Sequence, residues 1–124
     1  MRRDHAEHNE ALCDHLISVG NYNDWVITTA FYSAMHFIQS KIFPLKIGQV
    51  EFFNLNHYYS FNRSKHRGRH GAMIDLTWQN LPAIAGEYEW LHDVCRNARY
   101  KDYQVEEPQA TQARKFLSAI KNCC

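Results

Sequence analysis

Little in this sequence interrupts a helix. Five glycines and three prolines in 124 residues are too few for a chain of short strands, which needs a turn signal about every 8–12 residues. Apolar positions instead recur at three- and four-residue spacing, which predicts an all-α protein. Long hydrophobic runs are also missing. The longest, such as Trp25 to Ile27, falls far short of the roughly 20 residues of a membrane span, and the polar start is unlike a signal peptide. The expectation is a soluble, cytoplasmic protein with no membrane partner. No charge of one sign dominates: 14 Lys and Arg against 13 Asp and Glu leave a net +1, so any attraction to nucleic acid must be local. Four cysteines in a reducing compartment do not imply a disulfide framework. Cys13 and Cys95 read as core residues, Cys123 and Cys124 as a frayed chain end.

What is abundant is large apolar surface. Hydrophobic residues make up 45% and aromatics 14%, enough for a packed core rather than a disordered tail. The length suits one domain over residues 1–124, without a separate cofactor lobe. A first helix is predicted from Asp4 to Val19, with Leu12, Cys13, Leu16 and Ile17 on one face and Gly20 as its stop. A second, Asp24 to Ile42, is apolar nearly all round (Trp25, Ile27, Ala30, Phe31, Ala34, Met35, Ile38), the pattern of a helix buried by several neighbours. From Pro44 to about Lys65 the pattern is irregular and aromatic-rich, which reads as a long connection. A third helix is expected from His66 or Gly71 to Asn80. A fourth starts at Pro82 and runs to about Tyr100, turning Ile84, Tyr88, Leu91 and Cys95 inward. A last one opens at Pro108 with Ala113, Phe116, Leu117 and Ile120 as its stripe.

Two stretches can carry chemistry. Arg63, Lys65, His66, Arg67, Arg69 and His70 form a basic segment with no acid among them, and Tyr58, Tyr59 and Phe61 lie just upstream. Guanidiniums grip phosphate and aromatic rings stack on bases, a combination suited to single-stranded RNA. The alternative is an ordinary solvated basic loop. The second stretch runs from His92 to Tyr103. On a helix His92 and Arg96 are one turn apart, with Tyr100 and Tyr103 continuing that face. Metal-independent RNA cleavage needs a base for the ribose 2′-hydroxyl, a proton donor for the leaving oxygen and a cation on the phosphate. Arg96 can be the cation and His92 the base, unless the two merely pair with Glu89 or Asp93 on a wet helix face. His36, inside the second helix, reads as a core histidine before a cleft residue. His66 with His70, and His5 with His8, have spacings a metal could use, but neither pair has a clustered Cys or carboxylate, so no metal or cofactor is expected.

The stretch DWVITTAFYSAMHFIQSKI, followed by a fourth helix ending in RNARYKDY, resembles the HEPN family of small helical domains over most of the chain. The resemblance implies a bundle of four to five helices, usually a homodimer, and an RNase of toxin–antitoxin or phage-defence systems. The family motif is an Arg followed after four to six residues by His, often Arg-Asn-x-x-x-His-x-Tyr. Arg96 and Asn97 match its start and Tyr103 its end, while Lys101 stands at the His position. In the family, copies of the Arg and His meet across the dimer interface and the His assists 2′-hydroxyl attack. A lysine of ordinary pKa, near 10.4, stays protonated at neutral pH and holds phosphate rather than acting as base. His92, His70 or His36 would then supply the imidazole. Arg3 with His8 and Arg63 with His70 also satisfy the family spacing. Two activities follow from the likeness: a metal-independent endoribonuclease, or a catalytically inactive dimer that binds RNA, a nucleotide or a partner protein. A partner nucleotidyltransferase acting as antitoxin, with Tyr103 as its acceptor, is a further implication of the family.

Overall fold

Residues 2–124 are described by a computed structural model, in which about four fifths of the chain is helical. The α-helices among them are α1 (Arg2–Val19), α2 (Asn23–Ile42), α3 (Leu55–Asn62), α4 (Gly68–Asn80), α5 (Pro82–Tyr100) and α6 (Glu107–Cys123). The five long helices are those expected from periodicity. The segment read as a long connection differs. It contains a hairpin of β1 (Leu45–Ile47) and β2 (Val50–Phe52), then α3 and a 3₁₀ turn at Arg63–Lys65. Each piece is too short to display a period. In the hairpin Leu45 pairs with Phe52 and Ile47 with Val50, and Gly48, at φ 62°, takes the left-handed position that its two-residue turn needs.

The bundle is organised around α2. Thirteen of its 20 residues are buried, and α1, α5 and α6 all pack against it. The buried hydroxyls on α2 are satisfied locally or by α1: Thr28 donates to the Asp24 carbonyl (2.9 Å), Thr29 to the Trp25 carbonyl (2.7 Å) and Ser33 to the Ala6 carbonyl (2.7 Å), which removes the cost of burying them. Ile84, Tyr88, Leu91 and Cys95 of α5 and Ala113, Leu117 and Ile120 of α6 close the core as predicted, with Phe116 partly buried. No helix among the described residues is long and apolar enough to cross a membrane.

The stripe read on the first helix holds in part: Cys13 is buried and Leu16 packs partly buried against the core. Leu12 and Ile17 are instead over 40% exposed, and Ala6 is buried in their place. The fully buried side chains of α1 are small, which suits its close packing on α2. The outward edge of α1 is instead tied to α6 by charge. Arg114 donates to Glu10 (3.0 Å) and Asp14 (2.6 Å), and Lys121 donates to Glu10 (2.9 Å). The chain end is not frayed either. Cys124 donates its backbone N–H to Ile120 and Lys121, and both final cysteines pack against the core. Burial pushes the Cys124 thiol up to about 11.

Phe37 is fully buried on α2, with the Arg3 guanidinium 5.1 Å and the Lys121 ammonium 5.8 Å from its ring centre. Phe37→Ala is expected to cost about 3–5 kcal/mol in urea unfolding through the cavity it leaves. Leu12→Ala, on the exposed edge of α1, should shift stability by no more than about 0.5 kcal/mol.

Candidate functional site

The two chemically rich stretches of the sequence meet in space. The basic segment ends by running into α4, and α4 packs beside α5. That pairing brings Arg67, Arg69 and His70 opposite His92, Arg96 and Arg99 across an open cleft of about 750 Å³. Phe31 and Tyr32 of α2 also line it. The α5 contribution follows from helical geometry, since residues 92, 96 and 99 recur about one turn apart and so share a face.

His70 and His92 have ring centres 5.4 Å apart. The buried Phe31 ring lies 5.8 Å from the first and 5.7 Å from the second. Phe31 is itself stacked on the buried Tyr88 at 5.6 Å, so both imidazoles rest on the core. The His70 pKa is lowered from 6.5, first by desolvation, then by the neighbouring His92 and Arg99. At neutral pH it is therefore a neutral imidazole able to accept a proton. His92 Nδ1 is 3.2 Å from the Asp93 carboxylate. A carboxylate only accepts, so Nδ1 donates and Nε2 remains for a ligand.

None of Arg67, Arg69, Arg96 and Arg99 has a carboxylate ion-pair partner among the described residues. Arg99 donates to the Tyr32 hydroxyl (2.7 Å), and its guanidinium lies 5.4 Å from the Tyr100 ring centre. Arg69 lies 5.9 Å from the ring centre of Tyr59. The carboxylates at the cleft are otherwise engaged, Glu89 by the Trp78 indole N–H (2.9 Å) and Asp93 by His92. A second cleft, about 560 Å³ between α1 and α6, is different, because its Arg114 is already matched by Glu10 and Asp14.

The remaining expected residues are dispersed. His66 turns inward, its side chain 4% exposed. Its Nδ1 donates to Asp75 (2.7 Å) and its Nε2 faces the Tyr58 hydroxyl (2.7 Å). It anchors the basic segment to α3 and α4 rather than offering a cation to solvent. Arg63 and Lys65 are exposed outside the cleft lining, with Arg63 over the Tyr59 ring at 5.5 Å. Of the motif residues Arg96, Asn97, Lys101 and Tyr103, Arg96 lines the cleft, together with Arg99 and Tyr100 from the same stretch. The Asn97 carbonyl accepts N–H groups from Lys101 and Asp102, both at 3.0 Å, to close α5. Lys101 follows as the cap, and Tyr103 is exposed beyond it. His36 is buried and stacked on His5 at 3.8 Å, away from the cleft lining.

Sequence reasoning did not single out Phe31, Tyr32 or Arg99. Arg99, seven residues after His92, carried a periodic signal; the α2 residues carried none beyond apolarity. Among the described residues no group of three or more His, Cys, Asp or Glu is arranged to hold a metal ion. Comparison with family models, with curated proteins and with solved structures gives no match for this chain.

Because folding favours neutral His70, its contribution to stability is present above pH 6.5 and is lost as the pH falls toward the lowered folded-state value. NMR titration is expected to place His70 below 6.5, and His92→Gln should raise it by removing a neighbouring positive charge. An unshifted His70 in that variant would mean that the two imidazoles are not coupled.

Proposed function

We propose that the protein is a HEPN-type, metal-independent endoribonuclease that works at the cleft between α4 and α5, as part of a toxin–antitoxin or phage-defence system. One observation carries this reading: four guanidiniums without carboxylate ion-pair partners among the described residues line a cleft with two imidazoles 5.4 Å apart. Such a concentration of cations favours a phosphodiester, and adjacent imidazoles supply both proton transfers of RNA cleavage.

The roles follow from the surroundings of each ring. Neutral His70 takes the proton from a ribose 2′-hydroxyl as that oxygen bonds to phosphorus. His92, oriented by the contact of its Nδ1 with the Asp93 carboxylate, gives a proton from Nε2 to the departing 5′-oxygen as the phosphorus–oxygen bond breaks. The products are a 2′,3′-cyclic phosphate and a 5′-hydroxyl. Arg96 and Arg69 hold the non-bridging oxygens. This assignment moves the base from the motif position, occupied by Lys101, to a histidine on another helix. Asn97, Lys101 and Tyr103 then lie along the approach rather than at the reacting phosphate. A symmetric dimer would join two such clefts, as the family likeness implies, and the exposed Tyr103 is open to a partner nucleotidyltransferase.

A second reading has a specific observation behind it. Lys101 replaces the motif His and does not line the cleft, which favours a dimer that binds RNA, nucleotide or a partner protein without cutting.

Labelled RNA incubated with the protein in EDTA separates the two. The nuclease reading expects fragments ending in cyclic phosphate, reduced at least a hundredfold in His70→Gln and in Arg96→Ala, with the fold intact by circular dichroism. Intact but retained RNA would select the binding reading. In either case Arg67→Ala with Arg69→Ala is expected to weaken RNA binding more than tenfold and to flatten its dependence on salt, because each lost phosphate contact lowers the slope by about one. Unchanged affinity and slope would remove the basic segment from the site.

A further inference from the structure

The cleft accounts for only one end of the basic, aromatic-rich segment. Between Glu51 and Asp75 the chain has no acidic residue, and α3 lies in the middle of this stretch. Leu55 and Tyr58 turn α3 inward, and both are buried. On one flank Tyr59 lies under Arg63 and under Arg69, which lines the cleft. On the other flank are Phe53, His57 and Phe61. Phe53 and Phe61 are 64% and 72% exposed, among the most exposed large apolar side chains in the molecule.

That second flank is built rather than loose. The His57 ring is stacked with Phe53 at 5.5 Å and meets Phe61 edge-on at 5.6 Å. His57 Nδ1 accepts the Phe53 backbone N–H (3.1 Å), and the Asn54 side chain accepts the His57 N–H (2.8 Å). Buried Phe52 supports the group from below, 5.3 Å from His57 and 6.1 Å from Phe61. Rings held in place in this way lose little conformational entropy when a flat ligand covers them. The exposed faces of Phe53 and Phe61 have no polar group to satisfy, which suits a nucleobase.

We infer that Phe53, His57 and Phe61 form a base-stacking platform for single-stranded RNA whose backbone runs from the α4–α5 cleft, past Arg69 and Arg63, over the outer face of α3. The inference rests on the reading of the cleft as an RNA site and adds to it the class of substrate: an unpaired strand of several nucleotides. The complementary charge decides for RNA over an apolar protein segment. Arg63, Lys65, Arg67 and Arg69 follow the platform directly in sequence, and none has an ion-pair partner among the described residues. The exposed Asn56 and Ser60 on the outer face leave the crossing unobstructed. A helix is about 10–12 Å across with its side chains, so one nucleotide cannot occupy cleft and platform together, whereas an oligonucleotide can. Paired RNA is disfavoured because its bases are already stacked.

The test is fluorescence anisotropy with labelled oligoadenylate of about ten nucleotides, within the usual range for single-strand sites, beside an abasic oligomer of equal length and charge. Wild-type protein is expected to prefer the base-bearing strand. Phe53→Ala with Phe61→Ala, both exposed and expected to fold normally, should weaken oligoadenylate binding at least fivefold and leave the abasic oligomer unchanged. Phe61→Trp should retain binding. Arg96→Ala should weaken both ligands. If the double phenylalanine variant binds oligoadenylate like wild type while Arg96→Ala does not, the platform is overturned and the cleft stands. An equal loss for both oligomers in the phenylalanine variant also overturns base stacking. If neither variant alters binding, the cleft reading fails with it.

Discussion

Everything in this molecule is referred to one buried helix, and within it to one ring. Phe31 of α2 is 2% exposed, stacked on Tyr88 of α5 and in edge or tilted contact with His70 of α4 and His92 of α5. The consecutive helices α4 and α5 thereby share a single support on α2, earlier in the chain. The site can be narrow in tolerance because its floor is core: a ring so enclosed cannot move without opening a cavity. The His70–His92 spacing is therefore a property of packing rather than of a loop.

The same packing divides the charge. On the α1–α6 side, Glu10 and Asp14 take up Arg114 and Lys121 in short ion pairs. On the α4–α5 side, guanidiniums gather without such partners among the described residues, and the acids nearby are engaged by Trp78 and His92. A chain with net charge of only +1 thus gathers four arginines and two acids, Glu89 and Asp93, at one cleft, a local excess of positive charge that the overall balance does not reveal. The His70 pKa is lowered first by desolvation against the core and then by the same crowding, since His92 and Arg99 both oppose a proton there.

The Tyr58–His66–Asp75 chain, buried at Tyr58 and half exposed at Asp75, extends this arrangement toward α3. Its two 2.7 Å contacts join the element before the basic segment to the helix after it, so Arg67 and Arg69 leave from a fixed base. A histidine that looked from the sequence like one more cation is structural, while its neighbour four residues later is the one exposed to chemistry. At i, i+4 two residues share a helix face only if the helix includes both. Here α4 begins at Gly68, after His66, and the two rings diverge.

The helices were legible because core periodicity is a local property: the apolar all-round α2, Pro82 opening α5 and the stripe of α6 are each written within one segment. Arg96 and the basic segment were legible as chemistry for the same reason, since residue type and spacing suffice to recognise a cation near an imidazole. The hairpin and α3 were not, being too short for a period to repeat often enough to be recognised. Nor was the inward turn of His66, which depends on Asp75 and Tyr58 arriving from other elements. The amino-acid order by itself determined an all-α bundle and two stretches rich in phosphate-binding groups. Only the tertiary structure decided that those stretches face each other, because the meeting of His70 with His92 depends on how α4 and α5 pack over Phe31 of α2, and no local pattern encodes the angle at which helices pack.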